Sequence, residues 1–388
     1  MQSTKEVMHS RALAVPEEAG VLCDKVWGMN EFKTPFLALS INEVGRNYER
    51  LKSALPGVKI HYAVKPNNHP AIIDEIYRHR GNFDVCSMGE IEQVLKTGII
   101  PSSLVHSHPV KSVDEFDAAV EAGLELFVVD NFEEVKKLSR YPGKKLKILV
   151  RFRINTNSQA VVNLQYKYGC STQEVLPLAE QIREYGQEFY GLCFHIGSQC
   201  IYSENYVKAI RTAHRLINKL EAQGLPTRML DIGGGFPIEY LEAVPDIDEF
   251  CKPISAALDK QIRKDIKVIC EPGRYIVGNA ATLACSIIGK AVRNDKIWYY
   301  LDDGLYSTFS GQLYDHCNYP VLTERTGRNK LSVLAGPTCD SFDVMYDGLM
   351  IPEHEVNDRL LFSCTGAYCS VSGSNFNALK RPEYILVD

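Results

Sequence analysis

Polar side chains that could do chemistry stand at the ends of short apolar runs in this sequence. In HYAVKPNNHP (61–70), an apolar run that starts near Val58 ends directly on Lys65, and Pro66 then breaks the element. A lysine amine placed in this way can form a Schiff base with an aldehyde. The other polar run ends are Asp84 with Ser87, His108, Asp130, Arg153, His195 with Ser198, Gly233–Gly235, and Glu271 with Arg274.

Two of these segments indicate an anion site. DIGGGFP (231–237) places three glycines after an apolar run, where bare backbone N–H groups can approach an anion. CEPGRY (270–275) adds Arg274 after the next run. A tight turn would explain the glycines on their own. With Arg274 and Ser198 at the same level, phosphate binding is the better interpretation.

A phosphate site, a strand-end lysine, a histidine and a glutamate together suit pyridoxal 5′-phosphate (PLP). The aldehyde of PLP reacts with a lysine, here Lys65, and its phosphate needs a cradle. Its ring nitrogen needs a carboxylate, and Glu271 stands beside the phosphate segments. An imidazole such as that of His195 could stack on the ring. The residues therefore predict PLP as the cofactor.

Eight β-favouring runs position these residues, and amphipathic helical segments separate them. The runs are KIHYAVK (59–65), NFDVCS (82–87), SLVHSHP (103–109), LFVVD (126–130), KILVRF (147–152), FYGLCFHI (189–196), MLDIGG (229–234) and KVICEPG (267–273). Eight strand–helix units over roughly 215 residues predict an α/β fold, a (β/α)₈ TIM barrel, with a doubly wound open sheet as the alternative. Chemistry gathers where barrel strands end. Solvent exposure would explain any one polar strand end, but the whole set favours a site.

Composition excludes several classes of partner. Among 388 residues, 43 are basic and 48 acidic, the net charge is −5, and neither sign forms a long run. This argues against a nucleic-acid or membrane partner. The twelve cysteines form no CxxC pair, so we expect no metal and reduced thiols in a cytoplasmic protein. The N-terminus has no signal-peptide core.

The chain after residue 275 is typical of a second, β-rich domain. Its apolar runs lack long helical stretches between them, and the predicted domains are therefore a barrel at 35–275 and a β domain at 276–388. Residues 1–34 are expected to join the β domain. In GPTCDSFDVM (336–345), Cys339 sits beside an acid in a Gly-Pro turn, which favours a role in chemistry over that of a plain buried cysteine.

The motifs HYAVKPN, FDVCSMGEI, CFHIGSQ, DIGGGFP, CEPGRY, YYLDDGLYSTFSGQLYDH, GPTCDSFD and GAYCSVSGSNFN resemble, in order and spacing, the alanine-racemase-fold basic amino-acid decarboxylases. Within that family they are most similar to the eukaryotic-type ornithine decarboxylases. The resemblance covers about residues 35–388. It implies a PLP-binding barrel followed by a β-rich domain, and a head-to-tail homodimer with shared active sites.

The resemblance also implies a role for individual residues. The residues implied to contact or support the cofactor are Lys65, Asp84, Arg153, His195, Ser198, Gly234, Gly235, Glu271, Gly273, Arg274 and Tyr368. Lys65, His195 and Glu271 are implied to be catalytic, as is Cys339, which matches a proton donor to the substrate α-carbon delivered from the partner subunit. The residues implied to bind substrate are Tyr314, Asp315, Asp340 and Phe376, with the two acids holding a distal amine.

These expectations define a PLP-dependent decarboxylase that converts a basic amino acid, first of all L-ornithine, into a diamine such as putrescine. Lysine or another amine-bearing amino acid is the alternative substrate, because the sequence departs from the family in places. It reads SHPVK (107–111) where the family usually has a small residue before an asparagine, and SGSNFNAL is only partly matched. A non-catalytic regulatory homologue is the alternative of another class, which the presence of Lys65 and Cys339 disfavours. A racemase would need a tyrosine base opposite the lysine.

Overall fold

The computed structural model describes residues 17–154 and 166–388. The strands are β1 (Phe36–Leu39), β2 (Val58–Ala63), β3 (Asn82–Val85), β4 (Val105–His106), β5 (Leu126–Val129), β6 (Lys147–Arg151), β7 (Glu188–Cys193), β8 (Met229–Asp231), β9 (Lys267–Cys270), β10 (Ala281–Arg293), β11 (Lys296–Leu301), β12 (Val321–Leu322), β13 (Lys330–Ala335), β14 (Val344–Ile351), β15 (Arg359–Phe362) and β16 (Glu383–Leu386). The helices are α1 (Glu17–Trp27), α2 (Ile41–Ala54), α3 (Pro70–Arg78), α4 (Met88–Leu95), α5 (Val113–Glu121), α6 (Phe132–Lys137), α7 (Val175–Glu184), α8 (Glu204–Glu221), α9 (Ile247–Gln261), α10 (Arg274–Val277) and α11 (Ser310–Tyr314).

Strands β2 to β9 close into a parallel barrel in sequence order. Closure is made by β2 against β9, where Val58 pairs with Val268 and Ile60 with Cys270. The eight predicted strands are therefore confirmed, and closure excludes the open sheet. Buried side chains from strands β4 to β9 pack together in one cluster, so these side chains lie on strand faces that point toward each other. The cluster consists of Val105, Leu126, Val128, Leu149, Cys193, Met229 and Ile269.

Three barrel helices begin at capping residues that end the extended chain after a strand. The Ser87 hydroxyl accepts a hydrogen bond from the Glu90 N–H at 3.3 Å, and the Glu90 carboxylate accepts one from the Cys86 N–H at 2.7 Å. The pair resembles a capping box, with the Glu90 carboxylate bound one residue before the N-cap. Ser112 and Asn131 cap α5 and α6 in the same way, through side-chain oxygens. The caps keep the loops short and hold polar strand ends at one rim.

The second unit is built on a mixed sheet in the order β12-β15-β10-β11-β13-β14, and β1 joins it through β10 and β16. The predicted β-rich domain is confirmed in its architecture. Its described core includes α1, which packs with β1 and β10 in a cluster of buried residues comprising Leu22, Cys23, Val26, Phe36, Ala38, Ala284 and Leu361. Arg359 donates from its guanidinium to the Met29 carbonyl at 3.1 Å, which fixes the segment after α1.

The observed division of the chain differs from the predicted bounds. The barrel unit comprises Val44–Pro237 and Val244–Ile276, and the β unit takes the described part of Met1–Glu43, then Ile238–Ala243 and Val277–Asp388. The predicted barrel domain begins at residue 35 and so includes β1, whereas the structure places β1 in the β unit. The physical reason is backbone pairing, since β1 is antiparallel to β10 and parallel to β16.

Two absences hold for the residues that the structure describes. No helix among them combines the length and the apolar character needed to cross a membrane. Within the same residues, no group of three or more histidine, cysteine, aspartate or glutamate side chains is arranged to hold a metal ion.

Candidate active site

Lys65 and Asp84 meet at the rim of the barrel. The Val64 N–H donates to the Asp84 carbonyl at 3.1 Å, which fixes the register between the ends of β2 and β3. The Lys65 Nζ then lies 3.3 Å from Asp84 Oδ2. Asp84 is fully buried, whereas the Lys65 side chain remains 38% exposed. A lysine amine is thus held by a buried carboxylate while it stays open to a reagent from solvent.

Two carboxyl groups are buried at the ends of neighbouring strands. Asp231 is the last residue of β8, and Glu271 directly follows β9. The Glu271 N–H donates to the Gly233 carbonyl at 2.9 Å, and the Gly233 N–H donates to Asp231 Oδ1 at 2.8 Å. Glu271 Oε1 is buried and accepts no hydrogen bond from the described residues. Burial, followed by the nearby charges of Asp231 and Asp84, raises the pKa of Glu271 well above its usual range. The site therefore offers a carboxyl group that needs a donor.

The glycines after β8 leave a cradle that a side chain would fill. Gly235 has a φ of +110°, and a Cβ there would lie 2.2 Å from the Gly197 carbonyl oxygen. A Cβ at Gly234 would lie 2.3 Å from the Glu271 carbonyl oxygen. At Gly273 a Cβ would lie 2.4 Å from a ring carbon of Pro66. Only glycine fits at these positions without displacing neighbouring backbone or ring atoms.

Arg274 and Ser198 join this cradle. The Arg274 Nη2 donates to the Ser198 hydroxyl oxygen at 2.8 Å. Arg274 is only 4% exposed, so its charge is held beside the glycines in a protein environment and not in bulk water. A buried guanidinium, a hydroxyl and backbone N–H groups on glycines form a donor set suited to phosphate.

His195, at the end of β7, is held in one tautomer. Its Nδ1 accepts a hydrogen bond from the Gly197 N–H at 2.9 Å, which leaves the proton of the neutral ring on Nε2. Burial, with the charges of Arg151 and Lys65, lowers the pKa of His195 well below its usual range. The imidazole is therefore neutral and its face can stack on an aromatic ring.

These groups fit PLP. The buried carboxyl oxygen of Glu271 without a donor suits a protonated pyridine nitrogen, and the glycine cradle with Arg274 suits the phosphate. Lys65 supplies the amine for the aldehyde, and His195 supplies a flat neutral ring. Five of the predicted side chains thus occur together on the barrel unit: Lys65, Asp84, His195, Glu271 and Arg274.

Arg153 does not join them. Its side chain is exposed and lines a separate cavity with Ser171, Lys208 and Arg211. The arginine whose charge acts on His195 is Arg151, the last residue of β6. The role predicted for Arg153 in supporting the cofactor therefore stays a prediction.

Cys339 and Asp340 lie in the β unit, on an exposed loop. The Cys339 N–H donates to Asn377 Oδ1 at 3.1 Å, and the thiol-bearing residue is exposed. The Asp340 carboxylate accepts hydrogen bonds from the Tyr306 hydroxyl and, at 3.0 Å, from the Phe342 N–H. The Tyr306 hydroxyl is the main cause that lowers the pKa of Asp340. The loop therefore presents a thiol beside an oriented, ionised carboxylate.

The remaining predicted residues of the β unit are placed as follows. Phe376 stacks on the Tyr306 ring with centroids 4.4 Å apart, so it belongs to the same cluster as Asp340. Tyr314 is exposed at the end of α11, and the carboxylate of the next residue, Asp315, accepts from the Cys317 thiol at 3.5 Å. Tyr368 has a φ of +56°, and its carbonyl accepts from the Ser372 hydroxyl at 3.0 Å.

Sequence reasoning missed Arg151, Asp231 and Tyr306. Strand parity carries a signal for Arg151, because Leu149 lies in the barrel cluster and residues two apart share a face. Asp231 was visible as a carboxyl group inside an apolar run. Tyr306 carried no signal of its own, since its contact with Asp340 joins residues 34 positions apart.

The barrel and its rim define a PLP-binding protein of the decarboxylase class. A family model described as "Pyridoxal-dependent decarboxylase, pyridoxal binding domain" matches residues 41–278. The chain belongs to this family. The predicted family, the PLP cofactor and the class of carbon–carbon lyase are confirmed, and the chain is a basic amino-acid decarboxylase.

Curated relatives and solved structures share nearly the whole chain. A lysine/ornithine decarboxylase of Selenomonas ruminantium is 37% identical over 362 residues, covering 92% of this chain and 90% of the relative. An ornithine decarboxylase of Rattus norvegicus is 31% identical, covering 92% and 81%. A lysine/ornithine decarboxylase of Vibrio vulnificus, in complex with putrescine, is 36% identical with a TM-score of 0.88, covering 96% and 99%. The same Vibrio enzyme is also known in complex with cadaverine, with a TM-score of 0.89, 36% identity and coverage of 97% and 100%.

Proposed function

We propose that the chain decarboxylates L-ornithine to putrescine, with L-lysine as the alternative substrate. The observation that carries this proposal is the carboxylate of Asp340, held by the Tyr306 hydroxyl on the exposed loop of Cys339. A fixed, ionised carboxylate is a suitable partner for the distal ammonium of a basic amino acid. The relatives named as lysine/ornithine decarboxylases support both substrates.

On the barrel unit, each residue has a separate task. Bound PLP supplies an electron sink for the α-carbon when CO₂ departs. Lys65 binds the cofactor covalently, and Asp84 holds the amine in place at 3.3 Å. Glu271 accepts a hydrogen bond from the ring nitrogen and so keeps that nitrogen protonated. His195 covers one face of the ring, and we propose the Gly235 N–H, Ser198 and Arg274 as groups that hold the phosphate. We propose Tyr368, a residue of the β unit, as a further phosphate-binding group.

On the β unit, the residues act on the substrate. Asp340 and Asp315 bind the distal ammonium, while Tyr314 and Phe376 line its path. The thiol of Cys339 gives a proton to the α-carbon after CO₂ has left. We propose that these groups reach the barrel of a partner subunit in a head-to-tail homodimer, so that every site needs two chains.

Substrate preference tests the proposal most directly. Lysine is one methylene longer than ornithine, and one methylene in a fitted pocket is worth roughly tenfold or more in kcat/KM. We expect the purified holoenzyme to release CO₂ and putrescine from ornithine with the higher kcat/KM. A higher value for lysine would assign the chain to lysine. Absence of product from ornithine, lysine and arginine alike would contradict a decarboxylase and leave a non-catalytic homologue.

The role of Asp340 is tested with a matched control. Asp340→Ala leaves the ammonium without its partner and should raise the KM for ornithine by about tenfold or more, while PLP binding is retained. Asp347→Ala removes an exposed carboxylate from β14 of the same unit and should leave KM unchanged. An unchanged KM in both variants would remove Asp340 from substrate recognition.

Mixing inactive variants tests the shared site. Lys65→Ala and Cys339→Ala homodimers each lack one half of every site, whereas a mixed dimer regains one complete site. We expect activity to return on mixing. If light scattering and subunit exchange show mixed dimers and no activity returns, the shared-site proposal fails.

A cytoplasmic location is also a proposal. All twelve cysteines are unpaired thiols in the structure. Persistent free thiols suit a reducing compartment. Fractionation of cells that express the tagged chain tests this location.

A further inference from the structure

Arg151 is a partly buried cation at the barrel rim without a carboxylate at ion-pair distance among the described residues. It ends β6, and its charge acts on His195. What holds its guanidinium is the ring of Tyr168, whose centroid lies 5.4 Å from the Arg151 Cζ. A guanidinium over a tyrosine face within about 6 Å is attracted by the π-system of the ring. Tyr168 therefore determines where this charge lies.

Tyr168 is in turn held by His108, which belongs to the SHPVK segment that departs from the family pattern. The Tyr168 hydroxyl oxygen and the His108 Nε2 are 3.2 Å apart, and the rings meet edge to face with centroids 5.5 Å apart. The His108 Nδ1 accepts from the Val110 N–H at 3.2 Å, so the proton of the neutral ring lies on Nε2. His108 therefore donates to the Tyr168 oxygen.

The backbone beside Tyr168 is fixed to the same rim. The Gly169 N–H donates to Asp130 Oδ2 at 2.8 Å, and the Cys170 N–H donates to the Arg151 carbonyl at 2.9 Å. The segment that carries Tyr168 is thus attached to the ends of β5 and β6. These contacts leave the ring little freedom to move away from Arg151.

We propose that Tyr168 and His108 are positioning residues that hold the Arg151 guanidinium beside His195, so that the imidazole facing the cofactor stays neutral. This inference rests on the proposed role of His195 as the ring that covers PLP. It gives the departure at SHPVK a function, because an asparagine in place of His108 could not reproduce the edge-to-face ring contact.

Burial is the main cause that lowers the pKa of His195, and the charged groups near it set the part of the pH response that a variant can change. They are Arg151 from β6 and Lys65 after β2, and the loop after β8 meets the imidazole with Gly233 and Gly234, which carry no charge. If Tyr168 no longer holds Arg151, one positive charge moves away and the imidazole takes up a proton at a higher pH. An imidazolium would then face a protonated cofactor ring and weaken its binding on the acid side.

The test compares PLP affinity of the apoprotein at pH 5.5 and pH 8.0, by fluorescence titration, together with the pH profile of kcat/KM. For Tyr168→Ala we expect PLP affinity to fall at pH 5.5 by a factor roughly threefold or more larger than the factor at pH 8.0. The acid limb of the kcat/KM profile should shift to higher pH. Tyr168→Phe keeps the ring and should restore most of both properties. Tyr166→Ala, two residues earlier at a 97% exposed side chain, is the matched control and should behave as wild type.

A double variant tests the link to His108. His108→Asn should shift the acid limb in the same direction as Tyr168→Ala but by less. Its effect should be smaller in Tyr168→Phe than in wild type, because the hydroxyl contact is already absent and only the ring contact is left to lose. Equal losses at both pH values in Tyr168→Ala, accompanied only by a lower Tm, would overturn the inference. If His195→Ala leaves PLP affinity unchanged, it is the proposed role of His195 that fails.

Discussion

The charge of Glu271 should make the apoprotein less stable as pH rises. Burial and neighbouring carboxylates raise the folded-state pKa of this group, whereas in the unfolded chain it returns to about 4.3. The folded state therefore binds the proton more tightly. The resulting stabilisation is fully present below the unfolded-state pKa and is lost as pH rises through the folded-state pKa. Glu271→Gln removes this titration and keeps the shape of the side chain.

The size of the effect follows from linkage. Each unit of pKa elevation corresponds to about 1.4 kcal/mol, which for a domain of 150–250 residues is worth roughly 3–6 °C in Tm. Burial also raises the pKa of Glu90 to about 7 and of Asp303 to about 6, but both groups are present in wild type and variant alike. The difference between the two proteins therefore reports Glu271 together with its neighbour Asp231, whose raised pKa depends on Glu271.

The assay is thermal unfolding of PLP-free protein between pH 5 and pH 8.5. We expect the Tm of wild type to fall by at least several degrees more than that of Glu271→Gln across this range. Glu184→Gln, at an exposed position in α7, is the matched control and should follow wild type. Addition of PLP should reverse the order at pH 8, because the ring nitrogen then gives Glu271 a partner. Parallel curves for the apoproteins of wild type and Glu271→Gln would refute the reasoning.

Three further predictions concern other parts of the site. Lys65→Ala should abolish turnover and the borohydride-reducible PLP adduct and lower the Tm without loss of the fold, because buried Asp84 loses its partner; retained turnover would contradict the assignment. Gly235→Ala should weaken PLP affinity by about tenfold or more, because its Cβ would lie 2.2 Å from a carbonyl oxygen. Gly143→Ala, also at positive φ but with nothing within 4 Å, is the control that should keep affinity. Tyr306→Phe removes the hydroxyl that lowers the pKa of Asp340. It should raise the KM for ornithine roughly tenfold and leave kcat within twofold of wild type. An unchanged KM would show that this hydrogen bond does not serve substrate recognition.

The barrel was predictable because its signals are local. Each strand is a short apolar run, and the helices after three of them begin at residues that read as caps in the sequence, such as Ser87 with Glu90 three positions later. The end of a parallel strand also fixes the rim to which its next residue belongs. Lys65 and Glu271 could therefore be assigned to one site before their contacts were known.

The unpredicted parts depend on contacts between distant residues. Strand β1 belongs to the β unit because it pairs with β10 and β16. These partners lie more than 200 positions away along the chain, as in the pair of Phe36 with Ala284. The orientation of Asp340 likewise depends on Tyr306. Helix α9 contains Pro253, a residue that reads as a helix breaker, so a local pattern does not give the bounds of this helix. No pattern within a short window contains these pairings.

The arginine at the rim shows how a local rule can complement a family-based assignment. Residues two apart on a strand point to one face, so Leu149 in the barrel cluster places Arg151 on that face. β6 ends at Arg151, and Arg153 lies beyond the ladder on an exposed side chain. Strand parity alone would place Arg151 and Arg153 on the same face, and it is the end of β6 at Arg151 that distinguishes the two residues.

The rim also shows why a site of this kind is incomplete without its cofactor. Asp84, Asp231 and Glu271 are three buried carboxyl groups, and the amine nearest to them is the single partly exposed Lys65. Burying carboxylates without enough donors costs stability, which the apoprotein relieves by raising the pKa values of Asp231 and Glu271. A protonated pyridine nitrogen supplies the missing donor at Glu271. The groups that destabilise the empty barrel are therefore the same groups that bind PLP, so the loss of apoprotein stability with rising pH and the gain from PLP should both be smaller in Glu271→Gln.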